Sequence, residues 1–334
     1  MTPLPDAAMV ASHHLQAGRN AYQSNSVQAI QTQHRLDIIE SWLRLGRKAH
    51  RESSDDPEAG IKGDGWERLQ GRVMDLGCGQ GDQTGALAAV MASRPELESS
   101  TVVGVDPGLP SYGSPFTLEQ AQTHLARSDL FGDRLEFRLQ QDGPSAMAEQ
   151  RYATVVMAHS IWYLSAVSEL RAVFRTARET GVQHLLLAEW ALAISDPASL
   201  PHLLAALVQA QAPLPGGNIQ NVLSPQDIKA LAEQEGWKVE AEETWLPDRA
   251  LQDGSWEIHQ AFEAADLVET HALAQHHPSS SDAGNVLDPS VDRLAHAVRA
   301  ARHALRQASD TWGKEARSMD VWTAVLVPDT DHQR

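Results

Sequence analysis

The stretch VMDLGCGQGD at 73–82 carries the sharpest chemical signal in the chain. An apolar run ends at Asp75-Leu76, glycines stand at Gly77, Gly79 and Gly81, and a helical pattern begins near Asp82 or Thr84. Glycine lets a backbone turn sharply and lets a ligand approach without obstruction by a Cβ. Such a strand-turn-helix forms the ligand crevice at the carboxyl end of the first strand of a doubly wound sheet. A dinucleotide fingerprint asks for Gly or Ala at position 82, so that a pyrophosphate can rest on the helix N-terminus. Asp82 stands there instead, and Asp75 precedes the loop. Two carboxylates oppose a pyrophosphate. They suit a ligand that has no phosphate and carries a cationic end.

Other polar residues close the apolar runs that follow. Asp106, with Pro107 behind it, ends TVVGVD, where an acid can accept hydrogen bonds from both hydroxyls of a ribose. NAD enzymes use the same device, and an Asp there also starts a turn. Gln141-Asp142-Gly143 follows the next run and is equally a turn signal. His159 leaves the fourth run in AHSIWY; an imidazole titrates near neutrality and can take a proton from an incoming nucleophile. Glu189 closes LLLAEW, and a carboxylate at such an edge can orient His159, bind substrate or bond a backbone amide. Trp162, Tyr163, Trp190, Trp245 and Trp256 fall near presumed strand ends or later helices, where aromatics can stack on a flat substrate. Trp237 and Trp322 read as core. His13-His14 and His276-His277 lack carboxylates at ligand spacing, so no metal is expected.

The elements that must position these residues show in the pattern. Val-, Ile- and Leu-rich runs at 72–76, 101–106, 135–139, 154–159 and 184–189 alternate with helical stretches at 82–93, 116–128 and 164–178. That alternation predicts βαβ units and a parallel sheet covered on both faces, an α/β fold. Two later β-like runs lie at 237–246 and 319–327. A helical period marks 20–45, residues 1–18 read as loose, and 51–65 reads as a solvated loop. The stretch 248–318 is too long for a plain connection and carries helical patterns near 254–275 and 290–308, split by the polar tract 276–285. It reads as an inserted helical cap. The expected division is 1–66 for N-terminal helix and linker, 67–247 for the core, 248–318 for the cap and 319–334 for the last strand and tail.

The length of 334 residues fits one large domain or a core with an elaborated second layer. Asp and Glu outnumber Lys and Arg by 44 to 27, and a formal net charge of −17 repels nucleic-acid phosphates and anionic lipid. The clustered cations Arg44, Arg47, Lys48 and Arg51 are followed at once by acids, so no nucleic-acid or membrane partner is expected. The single cysteine, Cys78, excludes an intramolecular disulfide and a Cys-rich zinc site. No leader pattern opens the chain and no apolar run reaches roughly 18 residues, so the expected compartment is the cytosol.

These motifs, with AYQSNSVQAIQTQHRLDIIESW, VGVDPGLPSYGSPFTLEQAQTHL, MAHSIWYL and LLLAEWAL, resemble class I S-adenosylmethionine (SAM) methyltransferases. The likeness is to fungal and bacterial enzymes that modify small molecules in secondary metabolism, and it covers most of residues 20–260. The cap and the loop at 47–66 look private to this chain. The resemblance implies a Rossmann-like sheet of about seven strands, the last antiparallel. It implies that Gly77, Cys78, Gly79 and Gly81 pack on SAM, that Asp142 and Gly143 meet adenine, and that the His159 segment faces the methyl group. It also makes the N-terminal helix a lid whose Tyr22, Gln23, Gln28 and His34 touch the cofactor. The implied reaction is methyl transfer to a small-molecule natural product. An oxygen acceptor is favoured because His159 can receive its proton; an amine, or an N-hydroxy group of an indole alkaloid, stays open. So do a SAM-binding cyclase and a regulator that binds SAM or methylates protein. Asp75 and Asp82 argue against a NAD-dependent oxidoreductase. The oligomeric state is open between monomer and homodimer.

Overall fold

Strand β1 (Arg72–Leu76) sends Val73 to one face of the sheet and Met74 to the other, both fully buried, which is the signature of a strand covered on both sides. In this computed structural model, which describes residues 3–52, 65–275 and 289–330, the five predicted runs all form strands. β2 (Thr101–Asp106), β3 (Leu135–Leu139), β4 (Thr154–Ala158) and β5 (His184–Trp190) join β1 in parallel. β7 (Val321–Pro328) lies antiparallel between β5 and β6 (Trp237–Trp245). The order β3-β2-β1-β4-β5-β7-β6 reverses direction between β1 and β4, which opens the ligand crevice at their carboxyl ends. The seven-stranded sheet with its antiparallel last strand is the methyltransferase arrangement that the resemblance implied.

One face packs under α1 (Ala7–Ala11), α2 (Val27–Glu52), α3 (Asp82–Ala92) and α4 (Leu118–Ala126), through Ile39, Trp42, Leu87 and Leu125. The other packs under α5 (Gly143–Glu149), α6 (Val167–Glu179) and α8 (Pro225–Gln234), through Met147, Phe174 and Ile228. Helix α7 (Leu200–Gln211) shares a separate core with α9 (Asp253–Gln275) and α10 (Pro289–Trp312), built from Ala205, Val208, Ala261, Ala265, Val298 and Leu305. The late helices therefore form a unit with a helix that precedes β6. Periodicity missed α7 because LPHLLAALVQAQ is apolar almost all round. Trp237 and Trp322 lie in the core as expected.

The N-terminus differs from expectation. Residues 7–11 are a helix, capped where the Met9 amide donates to Asp6 Oδ1 at 2.8 Å, and Val10 is fully buried. The next helix starts at Val27, later than the periodicity placed it, because the Ala29 amide donates to Ser26 Oγ at 3.1 Å. Most of the predicted loop at 51–65, and the tract 276–285 with His276 and His277, lie outside the described residues. Helix α2 is fastened to the sheet rather than laid over it. Trp42 Nε1 donates to the Leu187 carbonyl at 2.9 Å, and Ser41 Oγ reaches Glu243 and Thr323. Trp42→Phe removes that bond and is expected to cost about 0.5–1.5 kcal/mol in a chemical-denaturation titration. A cost below about 0.5 kcal/mol would show that the bond does not hold the helix.

Candidate functional site

The glycine loop is fixed by its neighbours. Gly77 has φ +75°, and a Cβ there would lie 2.6 Å from Ser160 Cβ, so the loops after β1 and β4 touch backbone to side chain. Ser160 Oγ closes that contact by donating to the Leu76 carbonyl at 2.7 Å. Asp106 braces the loop from β2: Oδ2 accepts from the Gly79 amide at 2.8 Å and Oδ1 from the Gly108 amide at 2.7 Å. Each oxygen keeps a lone pair for a further donor. Asp75 is buried, accepts from Thr84 Oγ1 at 2.6 Å, and is pushed up to about 7 by burial. Asp82 accepts from Gln28 Nε2 at 2.6 Å and lies 3.6 Å from His14 Nδ1. The Cys78 thiol is pushed up by burial and stays protonated, which makes it a packing residue.

A second group surrounds His159, whose φ of 52° is unusual for a side-chain-bearing residue and marks a constrained position. Glu189 Oε2 accepts from the amides of Ile161 and Trp162 at 3.2 and 3.3 Å, and Oε1 from that of Trp190 at 3.0 Å. His159 Nδ1 is 3.4 Å from Glu189 Oε1, and its Nε2 is 3.0 Å from His34 Nε2. A carboxylate that already receives amides favours Nδ1–H on His159. The Nε2 lone pair then accepts from His34. Burial, with Arg35 second, holds His159 down to about 3, so the ring is a neutral imidazole at physiological pH. Burial raises Glu189 to about 7 against the pull of the three amides. The Trp190 ring lies 4.2 Å from the His159 ring between centroids.

Residues of both groups line one cavity of about 210 Å³. Its wall runs from Asp75, the glycine loop and Asp82 past His159 to Tyr163, Trp190, Trp256 and Glu257, with Gln31 and Arg35 from α2 and Asp253 and Gln260 from α9. Gln83, 4% exposed, also lines it, with neither polar atom of its amide bonded. Arg35 Nη1 is buried without a hydrogen-bond partner.

Several expected residues lie elsewhere. Tyr22 is 56% exposed and, like Gln23, is off this wall. Gln28 reaches it only through Asp82, and His34 only through His159. Trp162 is core, its Nε1 donating to the Leu223 carbonyl, because the turn after β4 points it inward. Trp245 packs beside it. Asp142 caps α5 by accepting from the Ser145 amide at 2.7 Å, and Gly143 packs on Leu76. Gly81, Asp106, Pro107, Asp142, Gly143 and Glu189 are likewise not among the residues that line the cavity. Sequence reasoning missed Arg35, Gln83, Asp253 and Glu257. Arg35 and Gln83 sit one residue from His34 and Asp82, both already noted, but helix phase alone does not say which neighbour faces a cavity. Among the described residues no cluster suited to a metal is present.

Asp75 and Glu189 have folded-state values raised above their unfolded ones of 3.8 and 4.5. Below those values both states are protonated. As pH climbs toward about 7 the unfolded chain ionises first and the ligand-free protein loses stability; above that the loss levels off. Asp75→Asn is expected to flatten this decline in thermal melts across that window. Parallel curves for the two proteins would show that Asp75 ionises freely in the folded state.

No family model matches the chain. It is 25% identical over 298 residues to Methyltransferase phomM' of Diaporthe leptostromiformis, covering 76% of this chain and 72% of that protein. Methyltransferase phomM of the same fungus is 25% identical over 286 residues, covering 73% and 72%. Among solved structures, a cyclopropane-fatty-acyl-phospholipid synthase-like protein from Lactobacillus casei superposes with a TM-score of 0.66 at 24% identity, over 96% of this chain and 98% of that one, and so shares the fold. The chain therefore has the fold of class I SAM-dependent methyltransferases and is a distant homologue of the two phomM methyltransferases.

Proposed function

We propose that the chain methylates a hydroxyl group of a small-molecule natural product. The observation that carries this reading is the single cavity that joins the glycine loop to an imidazole and an aromatic wall. Its residues fit SAM at the loop end. The amino-acid end of SAM offers a carboxylate and an ammonium, which match the unbonded Arg35 Nη1 and the two unbonded atoms of the Gln83 amide. Asp75 and Asp82 suit its positive groups, and Asp106 keeps lone pairs for ribose hydroxyls. When bound, SAM supplies a methyl group carried on a sulfonium.

The chain's own part is to hold, enclose and deprotonate. Tyr163, Trp190 and Trp256 offer flat apolar surface to an acceptor. Enclosure removes water and fixes approach, which contributes on the order of 7–11 kcal/mol in favourable cases. His159 stands in the cavity as a free base with Nδ1 held by Glu189, so its proton-accepting atom is Nε2. His34 occupies that lone pair in this structure, and an acceptor hydroxyl takes its place.

Three measurements test the reading. Methyl-labelled SAM and purified protein, added to a split extract of the producing organism, are expected to label the small-molecule fraction. Label confined to macromolecules, or none despite SAM binding, overturns the reading in favour of a protein modifier, a cyclase or a regulator. His159→Ala is expected to lower turnover by about 10²–10⁴-fold with SAM affinity little changed; near wild-type turnover removes its role as base. Gln83→Met is expected to weaken SAM binding about tenfold, the worth of roughly one or two hydrogen bonds, while the ligand-free melting temperature holds or rises, because a buried unbonded amide is gone. Unchanged affinity would show that Gln83 faces no ligand.

A further inference from the structure

On the wall away from the glycine loop, one carboxylate differs from the rest. Glu257, on α9, is 8% exposed. Its Oε1 accepts from Trp190 Nε1 at 2.9 Å and its Oε2 lies 2.7 Å from His202 Nε2. His202 is fully buried, and its Nδ1 accepts the Met319 amide at 3.0 Å. A ring that accepts at Nδ1 carries its proton on Nε2 and is neutral. Both partners of Glu257 are therefore neutral donors. Asp253, one turn earlier, has the Arg35 guanidinium 3.6 Å away. Glu257 thus brings a negative charge to the cavity with no cation against it among the described residues, which a buried site tolerates poorly until one arrives.

What surrounds that charge fits a cation. Trp190 donates to it, and Tyr163 and the half-exposed Trp256 line the same cavity, aromatic rings of a kind that attracts positive charge. The unbonded Gln83 amide lines this cavity too and marks it as a ligand site, its own partner being the amino-acid end of SAM proposed above. The carboxylate is built in firmly. A Cβ on Gly254 would lie 2.8 Å from His202 Nδ1 and 3.1 Å from Ser318 Cα, so the start of α9 can approach His202 only with glycine there.

We propose that Glu257 recognises a cationic nitrogen on the methyl acceptor, so that the substrate is an aromatic or polycyclic compound bearing a protonated amine. This rests on the methyltransferase reading above and specifies its substrate class. A protonated amine has no lone pair to accept a methyl group. The nitrogen held at Glu257 is a handle, and the atom methylated is a different one, in keeping with an oxygen acceptor beside His159.

The test uses the full chain saturated with S-adenosylhomocysteine, whose binding is measured first by calorimetry. Phenethylamine and 2-phenylethanol, which differ in the charged group, are then titrated. The amine is expected to bind at least about tenfold more tightly, as a charge-assisted hydrogen bond requires. Glu257→Gln should reduce that ratio to near one with S-adenosylhomocysteine affinity unchanged. Trp256→Ala, at a half-exposed position that does not endanger folding, should weaken the amine more than the alcohol, and it decides the matter if the first variant misfolds. Equal affinity for the two probes, no binding of the amine, or a preference that survives Glu257→Gln overturns the proposal. So does a Glu257→Gln variant that loses S-adenosylhomocysteine as steeply as the amine, since Glu257 then serves the cofactor. Failure of wild-type protein to bind S-adenosylhomocysteine instead overturns the reading on which this one rests.

Discussion

Glu189 sits at the carboxyl end of β5, and the site depends on where its charge goes. Strand ends leave amides unpaired, and the turn after β4 leaves those of Ile161 and Trp162 pointing at one spot. A carboxylate there satisfies them together with the Trp190 amide, and so fixes two strand ends against each other. The same group decides which nitrogen of His159 carries the proton. A neutral amide could not accept all these donors and still orient the imidazole. The backbone of the crevice and the tautomer of its imidazole are therefore one constraint. The left-handed backbone of His159, with its amide bonded to the Ala188 carbonyl at 2.8 Å, is part of the same fixture.

The sheet was legible because both its faces are covered. Runs such as TVVGVD and LLLAEW admit no helical reading when each is bounded by turn residues and followed by an amphipathic stretch. Two of the helices that escaped notice, α7 and α5, lacked the pattern rather than the structure, whereas α8 carried a readable Ser224–Asp227 capping box. In α7 nearly every side is apolar because it lies between other helices, and α5 is too short to show a period. Asp142-Gly143 carries two signals at once, a turn and a helix cap, and the structure uses it as the cap. The early helix α1 was hidden for a similar reason: a few residues show no period, and only the Asp6 cap announced it.

Within the site, the residues that sequence found are those whose role follows from the backbone. The glycines, Asp75, Asp106, His159 and Glu189 occupy strand ends, and a strand end is readable in one dimension. Arg35, Gln83 and Glu257 lie on helices, where function depends on which side of the helix meets the cavity. That side is set by tertiary packing: α2 by Trp42 in the sheet, α9 by its close approach to His202 at Gly254. The aromatic residues show the same limit. Trp162 and Tyr163 are adjacent in sequence, and the turn sends one into the core and leaves the other at the cavity.

The charges on the cavity wall then read as a balance sheet left open. Asp75, Asp82, Asp253 and Glu257 face it, with Arg35 as the one guanidinium among its lining residues. Burial raises Asp75 toward neutrality, so the ligand-free protein lowers this mismatch by keeping a proton there. A cation bound beside Asp75 favours the ionised carboxylate and releases that proton, so binding at the loop becomes coupled to pH. Glu257 is held instead by two neutral donors, Trp190 Nε1 and His202 Nε2. The two ends of the cavity therefore hold their carboxylates differently: Asp75 by burial beside one hydroxyl donor, Glu257 between two donors fixed by the fold.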